Sequence, residues 1–335
     1  MVGAVLVRGR KVVGTGFHQI AGRDHAEIIA LKQAGAKARG ATLYINLEPC
    51  SHQGRTPPCT RSLIRAGIKE VIAGMTDPNP LVAGRGFQQL RRAGILVRVG
   101  LLEAECRSLN EAFVKYITQQ RAFVTLKLAA SLDGRIASMT GDARWISSAD
   151  SRNAVHRLRN QVDAVLVGVG TALADDPQLT CRIPGGRNPW RIILDSRLRI
   201  PSGAQILHQR DPEKTIVVTG DQVTAKKIRF LEAQGARVWR FRLRKGKIPW
   251  GPLLSKLAGV GITSVLIEGG ATVAASAIKE KIVDKILFFY AAKILGGDGR
   301  GMIGDLGIRS VGKAIPVRRL DVKKSGSDLL VSAYL

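Results

Sequence analysis

His25 and Glu27 stand two residues apart, and Cys50 and Cys59 follow across a stretch that reads as a strand. One imidazole and two thiolates fill three corners of a zinc tetrahedron and leave the fourth for water. Zinc lowers the pKa of such a water to about 7, and a glutamate that is not a ligand can take its proton and pass it to a departing amine. These residue types predict hydrolytic deamination, with His25, Cys50 and Cys59 as metal ligands and Glu27 as the catalytic proton carrier. The competing reading is a closed structural zinc site in which His52 is the fourth ligand. Structural sites favour short paired loops and have no use for a glutamate two residues after a ligand. Cys106 and Cys181 belong to no such pattern and read as small, buried or half-buried apolar side chains.

The elements that must hold these residues follow from the apolar pattern. Residues 4–7 and 11–16 read as a hairpin, 25–33 as a helix, 42–46 as a strand and 60–66 as a helix closed by Gly67. Stretches 71–74, 86–93 and 96–99 continue a βαβ rhythm, which implies a layered α/β sheet. Ala66-Gly67-Ile68 recurs as Ala93-Gly94-Ile95, and both fit a helix end where glycine is left-handed. His25 and Glu27 then fall in a first helical turn and Cys59 just before the next, where free amides and the helix dipole favour thiolates and an anionic oxygen. One helix is expected over 102–117, with a domain boundary after it, giving domains 1–119 and 120–335. Downstream, strands are expected at 164–169, 191–194, 215–218, 238–241, 264–267 and 285–290. Helices are expected at 149–160, 226–234, 253–258 and 272–279, and stretches 317–322 and 329–334 as a closing hairpin. The fold class is α/β throughout.

At 335 residues, 45% of them hydrophobic, the chain can bury two cores. No run reaches the roughly 18 apolar residues of a membrane helix, and no secretory signal is expected, so the reading is a cytoplasmic protein with free thiolates. Lys and Arg number 52 against 26 Asp and Glu, a net charge of +26. The basic residues are spread along the chain, with a local cluster from Arg237 to Lys247 but no basic block interleaved with aromatics. A solvated basic surface that gathers phosphorylated ligands is preferred to a nucleic-acid footprint.

Two glycine-bearing turns follow strands, Gly168-Val169-Gly170-Thr171 and Glu268-Gly269-Gly270-Ala271-Thr272. The second runs into a helix start that can bind an anion, although neither has the spacing of a dinucleotide fingerprint. Gly296 to Gly301 is a further glycine-rich loop.

The run LEPCSHQGRTPPC from Leu47 to Cys59 closely resembles the bacterial bifunctional riboflavin-biosynthesis deaminase/reductase family. The segments Asp77 to Gly86, Thr125 to Arg135, Gly168 to Pro177 and Glu268 to Gly270 extend that resemblance over nearly the whole chain. It implies a cytidine-deaminase-like three-layer N-terminal domain and a dihydrofolate-reductase-like C-terminal domain. The first would use Zn2+ to deaminate 2,5-diamino-6-ribosylamino-4(3H)-pyrimidinone 5′-phosphate, and the second would use NADPH to reduce the ribosyl chain to ribityl. Carried over, Ala129, Trp145, Thr171, Asp175, Ser196 and the run Gly270, Ala271, Thr272, Val273, Ala274, Ala275 and Ser276 would contact NADPH. Ala143, Arg159, Leu179, Arg182 and Glu268 would contact the substrate, the two arginines holding phosphate through paired hydrogen bonds. His52 and Arg55 are candidates for contacts to the pyrimidine, and the loop 296–301 for a border of the cofactor pocket. Each has a plainer rival: Trp145 as core, Arg159 as one of several solvated charges, Asp175-Asp176-Pro177 as a turn former.

Family members carry a further helix and a Pro-Asn-Pro segment ahead of a Val-Gly-Ala-Val run, and this chain begins inside that motif at Met1-Val2-Gly3-Ala4-Val5. Either the start of the chain is misplaced, or a shortened deaminase domain is expected, with its zinc ligands retained and one wall of the substrate site missing. Two other functions stay open: a reductase with a merely structural zinc domain, and a nucleic-acid deaminase, which would bind RNA or DNA with steep salt dependence. The expected partner is the phosphoribosylated pyrimidine, with neither membrane nor nucleic acid. The oligomeric state is left open between a single chain and a homo-oligomer, and no arginine is singled out as reader of the NADP 2′-phosphate.

Overall fold

The computed structural model describes residues 1–18, 22–53, 57–80 and 82–335. They form two compact units, Met1–Gln120 and Arg121–Leu335.

Unit 1 runs β1 (Gly3–Arg8), β2 (Lys11–Phe17), α1 (Ala26–Ala34), β3 (Thr42–Ile45), α2 (Cys59–Arg65), β4 (Glu70–Ala73), α3 (Arg85–Arg92), β5 (Leu96–Val99), α4 (Glu103–Leu109) and α5 (Glu111–Gln119). Its sheet has the order β2-β1-β3-β4-β5, antiparallel across β2, β1 and β3 and parallel from β3 to β5. The helix α1 lays an alanine stripe, Ala26, Ala30 and Ala34, on the sheet, all three buried. A Cβ at Gly14 would lie 2.2 Å from the Ala30 carbonyl oxygen, and one at Gly16 would lie 2.2 Å from that of Ala26. Only glycine in β2 lets α1 come this close. Gly67 and Gly94 take φ of 68° and 81°, the left-handed helix ends their tripeptides call for.

The helix expected over 102–117 is two helices, α4 and α5, that meet at Asn110. Asn110 is buried; its side-chain amide donates to the Cys106 carbonyl and its Oδ1 accepts from the Met1 amine at 2.7 Å. Such side-chain bonds compete with the helical ladder and break it.

Unit 2 contains β6 (Phe123–Ser131), β7 (Arg135–Ala137), α6 (Ala149–Gln161), β8 (Ala164–Gly168), α7 (Val169–Asp175), β9 (Trp190–Leu194), β10 (Thr215–Gly220) and α8 (Ala225–Ala233). It continues with β11 (Arg237–Phe241), α9 (Trp250–Gly259), β12 (Ser264–Glu268), α10 (Ala271–Lys279), β13 (Lys285–Ala291), β14 (Arg300–Gly301), β15 (Arg318–Ser325) and β16 (Asp328–Tyr334). Nine strands lie in the order β11-β10-β9-β8-β12-β6-β13-β16-β15. The first seven are parallel and the closing hairpin β15–β16 is antiparallel to β13. The near-continuous apolar runs of β8, β9 and β10 are buried between two apolar clusters, as expected of strands covered on both faces.

Two departures bear on the site. The stretch after β8 is not only a turn: Val169–Asp175 winds into the short helix α7. Part of the glycine-rich loop is paired, since β14 lies antiparallel to β7, and a Cβ at Gly299 would meet the Ala137 carbonyl oxygen at 2.9 Å. Among the described residues no helix is long and apolar enough to cross a membrane.

Candidate metal and cofactor sites

His25 is the N-cap of α1, in extended conformation, rather than a residue of its first turn. Glu27 follows in that turn and is 3% exposed. Cys59 opens α2, one residue further into the helix than expected, and its backbone N–H donates to Cys50 Sγ at 3.3 Å. Two helix starts thus converge, and the amide that opens α2 faces sulfur.

The Nδ1 of His25 lies 3.6 Å from Cys50 Sγ and 3.2 Å from Cys59 Sγ, and one ligand atom from each of the three residues falls within 4.8 Å of the others. Zn–S and Zn–N bonds of about 2.3 and 2.0 Å at tetrahedral angles place neighbouring ligand atoms about 3.6 Å apart. The donor set fits zinc in both type and spacing. The Cys59 thiol donates to Cys50 and holds it down to about 4, while that same bond pushes Cys59 up. A divalent ion relieves the arrangement by taking both as thiolates. His52 is exposed and is not in the donor cluster, so among the described residues there are three ligands and an open fourth position. Arg55 lies outside the described residues.

Burial pushes the Glu27 carboxyl up to about 7, and its side chain reaches the Cys59 thiol. A group poised near neutrality can both accept and release a proton.

Glu48 is a residue that sequence reasoning quoted but did not assign. Its buried carboxylate accepts from the backbone N–H groups of Asp77, Gly84, Gly86 and Phe87 at 2.9 to 3.3 Å. It ties the start of α3 to the segment carrying Cys50. An acid at the end of an apolar strand, directly before Pro49-Cys50, was the available signal.

In unit 2 the ends of β8 and β12 meet. A Cβ at Gly270 would lie 3.1 Å from Thr171 Oγ1, and one at Gly168 would lie 2.7 Å from Val273 Cγ2. Gly270, with φ 84°, caps α10 and presents its first amides. Within the run Gly270 to Ser276, residues 270–273 are partly or fully exposed, whereas Ala274 and Ala275 are buried. Ser276 Oγ accepts from Trp250 Nε1 at 3.0 Å. Ala129 is half-buried on β6, Ser196 half-buried after β9 and Ala143 half-buried in the loop before α6. Trp145 is 66% exposed beneath the Arg152 guanidinium, 4.7 Å from its centroid, so it is not core. Asp175 is exposed at the end of α7, its carbonyl accepting from Arg144 at 3.1 Å.

Arg159 and Glu268, 109 residues apart, form a two-pronged pair: Nε to Oε1 at 2.6 Å and the second terminal nitrogen to Oε2 at 2.9 Å. The third nitrogen donates to the Thr180 carbonyl at 3.0 Å. Arg159 is therefore no loose surface charge. Arg182 is exposed, with one bond to Gln178 at 3.3 Å, and the Leu179 side chain is buried in the core.

Lys127 was missed. It sits directly beside Glu268 in the parallel register of β6 and β12, and burial lowers its pKa against the pull of Glu268. The signal was a lone charge within the apolar run Phe123–Ser131. Asp133 was missed too. Its carboxylate accepts from Ser131 at 2.5 Å and from the amides of Leu295 and Gly296, which pins the strand of chain entering the glycine-rich loop.

Comparison with known proteins decides what the two units have in common. Residues 122–331 match the family model described as RibD C-terminal domain, and residues 1–75 match the cytidine and deoxycytidylate deaminase zinc-binding region. The riboflavin biosynthesis protein RibD of Aquifex aeolicus is 46% identical over 331 residues, covering 98% of this chain and 90% of that protein. The chain belongs to the RibD family. Two solved structures extend the likeness to the whole fold. The RibD of Acinetobacter baumannii, form 1, superposes with a TM-score of 0.87 at 37% identity, over 99% of this chain and 91% of that one. A Thermotoga maritima protein described as a diaminohydroxyphosphoribosylaminopyrimidine deaminase/5-amino-6-(5-phosphoribosylamino)uracil reductase gives 0.85 at 38% identity, with the same coverage. For a RibD-family chain the pairing of a three-ligand cluster that fits zinc in unit 1 with the RibD C-terminal domain in unit 2 is a division of labour between two reactions.

Proposed function

We propose that this RibD-family chain is a bifunctional enzyme of riboflavin biosynthesis acting in the cytoplasm on a phosphoribosylated pyrimidine. Unit 1 hydrolyses the exocyclic amine of 2,5-diamino-6-ribosylamino-4(3H)-pyrimidinone 5′-phosphate. Unit 2 reduces the ribosyl chain of the deaminated product to ribityl at the expense of NADPH. The observation that carries the reading is the His25, Cys50 and Cys59 triangle, open at its fourth corner and backed by the buried carboxyl of Glu27.

His25, Cys50 and Cys59 would hold zinc, which would supply an activated water at neutral pH. Glu27 would carry the proton from that water to the departing amine, so that the exocyclic C–N bond breaks, ammonia leaves and a carbonyl remains on the ring. Its pKa of about 7 suits both halves of the transfer. The Glu48 carboxylate acts at one remove, fixing the segment that carries Cys50.

In unit 2, NADPH would supply the hydride that reduces the anomeric carbon of the ribosylamine, and the sugar ring oxygen released there needs a proton. Lys127, half-buried beside Glu268, is the candidate proton source. The Glu268 carboxylate, oriented by Arg159, positions the sugar hydroxyls, and Arg182 meets the 5′-phosphate. The exposed end of α10 at Gly270 to Val273 receives the cofactor diphosphate, with Thr171 beside it.

Purified, zinc-loaded protein given the diamino substrate should release ammonia and oxidise NADPH in step. With the deaminated intermediate supplied instead, Glu27→Ala should still oxidise NADPH. Oxidation without any ammonia from the diamino substrate would reduce the enzyme to a reductase, and silence in both assays would overturn the reading.

A further inference from the structure

The sheet of unit 2 reverses its order between β8 and β12. From β8 the chain steps outward through β9, β10 and β11, while β12 lies on the other side, next to β6. In open parallel sheets a dinucleotide crosses the carboxyl ends of the strands at such a point, its phosphates at a helix start and its adenosine ribose over the neighbouring strand. Here the helix start is that of α10, in contact with the first turn after β8. The next strand outward, past β8, is β9, whose Leu194 is in register with Gly168 at the end of β8. The residues after Leu194 therefore border the ribose.

Those residues are Asp195, Ser196, Arg197, Leu198 and Arg199. An acid at this strand end ordinarily accepts the ribose 2′-hydroxyl and repels a 2′-phosphate. Asp195 cannot play that part, because it is fully buried and its Oδ2 accepts from the backbone N–H of Ile200 at 2.8 Å. The loop is held on two further sides, Ser196 O accepting from Gly220 N at 3.1 Å and Leu198 O from Lys227 Nζ at 3.4 Å. Leu198 is buried, which leaves the half-buried Ser196 and the exposed Arg197 as the side chains offered to a ligand. Arg197 forms no ion pair among the described residues. Lys227 brings a second positive charge to the loop, and the exposed acid Asp221 stands one strand further out, after β10.

The geometry points to Arg197, assisted by the Ser196 hydroxyl, as the group that reads the 2′-phosphate and so makes this enzyme select NADPH over NADH. The assignment rests on the reading that unit 2 binds NADPH. A guanidinium on a rigid strand-end loop donates two parallel hydrogen bonds to phosphate and has no comparable partner in NADH.

Equilibrium dialysis of the full-length, zinc-loaded protein against NADPH and NADH tests this without turnover. A hydrogen bond to a charged group is worth about a tenfold to a hundredfold change in affinity. Arg197→Ala should weaken NADPH by that factor and leave NADH within about twofold, Arg197→Lys should fall between, and raising salt should weaken NADPH less in Arg197→Ala than in the parent. Arg199→Ala should keep the parent's ratio of the two affinities. Equal loss for both nucleotides, an unmoved ratio in Arg197→Ala, or a ratio moved by Arg199→Ala instead would overturn the assignment while leaving NADPH binding intact. A parent protein that binds neither nucleotide would overturn the reductase reading and the assignment with it.

Discussion

Replacing Arg159 by leucine strands Glu268. The two side chains are 13% and 9% exposed and joined by two charge-assisted bonds at 2.6 and 2.9 Å. Removing one member of such a buried pair costs about 3–5 kcal/mol, because the other charge is left without compensation. All four tryptophans, Trp145, Trp190, Trp239 and Trp250, lie in unit 2, so their fluorescence reports its unfolding alone. With a urea slope of about 2 kcal/mol/M, the midpoint should fall by about 1.5–2.5 M at pH 8. The pH dependence supplies a second reading. Burial opposes the charge on Glu268, yet Arg159, aided by Lys127 and His156, holds its pKa below the ordinary glutamate value. Its contribution in the parent is thus fully present above the unfolded value of about 4.3 and is lost as pH falls through the lowered one. In Arg159→Leu burial acts with far less opposition and raises that pKa, so protonation at mildly acid pH relieves the variant. Its deficit should therefore shrink between pH 8 and pH 5. A midpoint shift under about 0.5 M, or the same shift at both pH values, would refute the claim that this pair is a buried, mutually dependent unit.

Glu27→Gln should keep about one zinc per chain while ammonia release falls about 10²–10⁴-fold, and Cys59→Ala should lose the metal on dialysis; wild-type ammonia release by Glu27→Gln would remove Glu27 as proton carrier. Gly16→Ala drives a methyl to within 2.2 Å of the Ala26 carbonyl oxygen, and should cost about 1–3 kcal/mol and weaken zinc retention while NADPH oxidation from supplied intermediate stays at the parent rate. Undiminished zinc retention in that variant would show that α1 can shift without moving His25. Asp133→Asn should speed hydrogen exchange at the Leu295 and Gly296 amides several-fold. The bond from Ser131 and those two amides hold the Asp133 carboxyl at about 2, so its contribution is present above the ordinary aspartate value, is lost only as pH falls through about 2, and leaves the exchange difference flat from pH 5 to 8.

What could be read in advance was whatever the local pattern encodes. The metal ligands are of this kind, because chemistry restricts them to few residue types and two helix starts bring them together. The strands of unit 2 are also of this kind, since their apolar runs admit no other placement. Pairings across long separations were not. Arg159 and Glu268 were each assigned to the substrate, and nothing in the chain between them, which sets them 109 positions apart, reveals that they hold each other. Lys127 gains its meaning only from its neighbour across the register, Glu268. Asn110 broke a helix whose apolar pattern continues across it, because its partner is the chain's own amine at Met1. These are tertiary hydrogen bonds, and periodicity does not carry them.

The glycines explain why both sites depend on residues with no chemistry of their own. In unit 1 the alanine face of α1 rests on Gly14 and Gly16, and that contact sets the height of His25 above the sheet. In unit 2 the missing side chains at Gly168 and Gly270 let the starts of α7 and α10 touch. In unit 1 the contact seats the helix that His25 caps, and in unit 2 it brings together the two helix starts proposed to receive the cofactor; a single Cβ at either contact would hold the helix off. A methyl added at Gly16 should therefore act on zinc affinity as well as on the stability of unit 1, and one added at Gly270 on cofactor affinity. Charge and donor type choose the ligand in these sites, and the absent side chains decide whether the donors reach it.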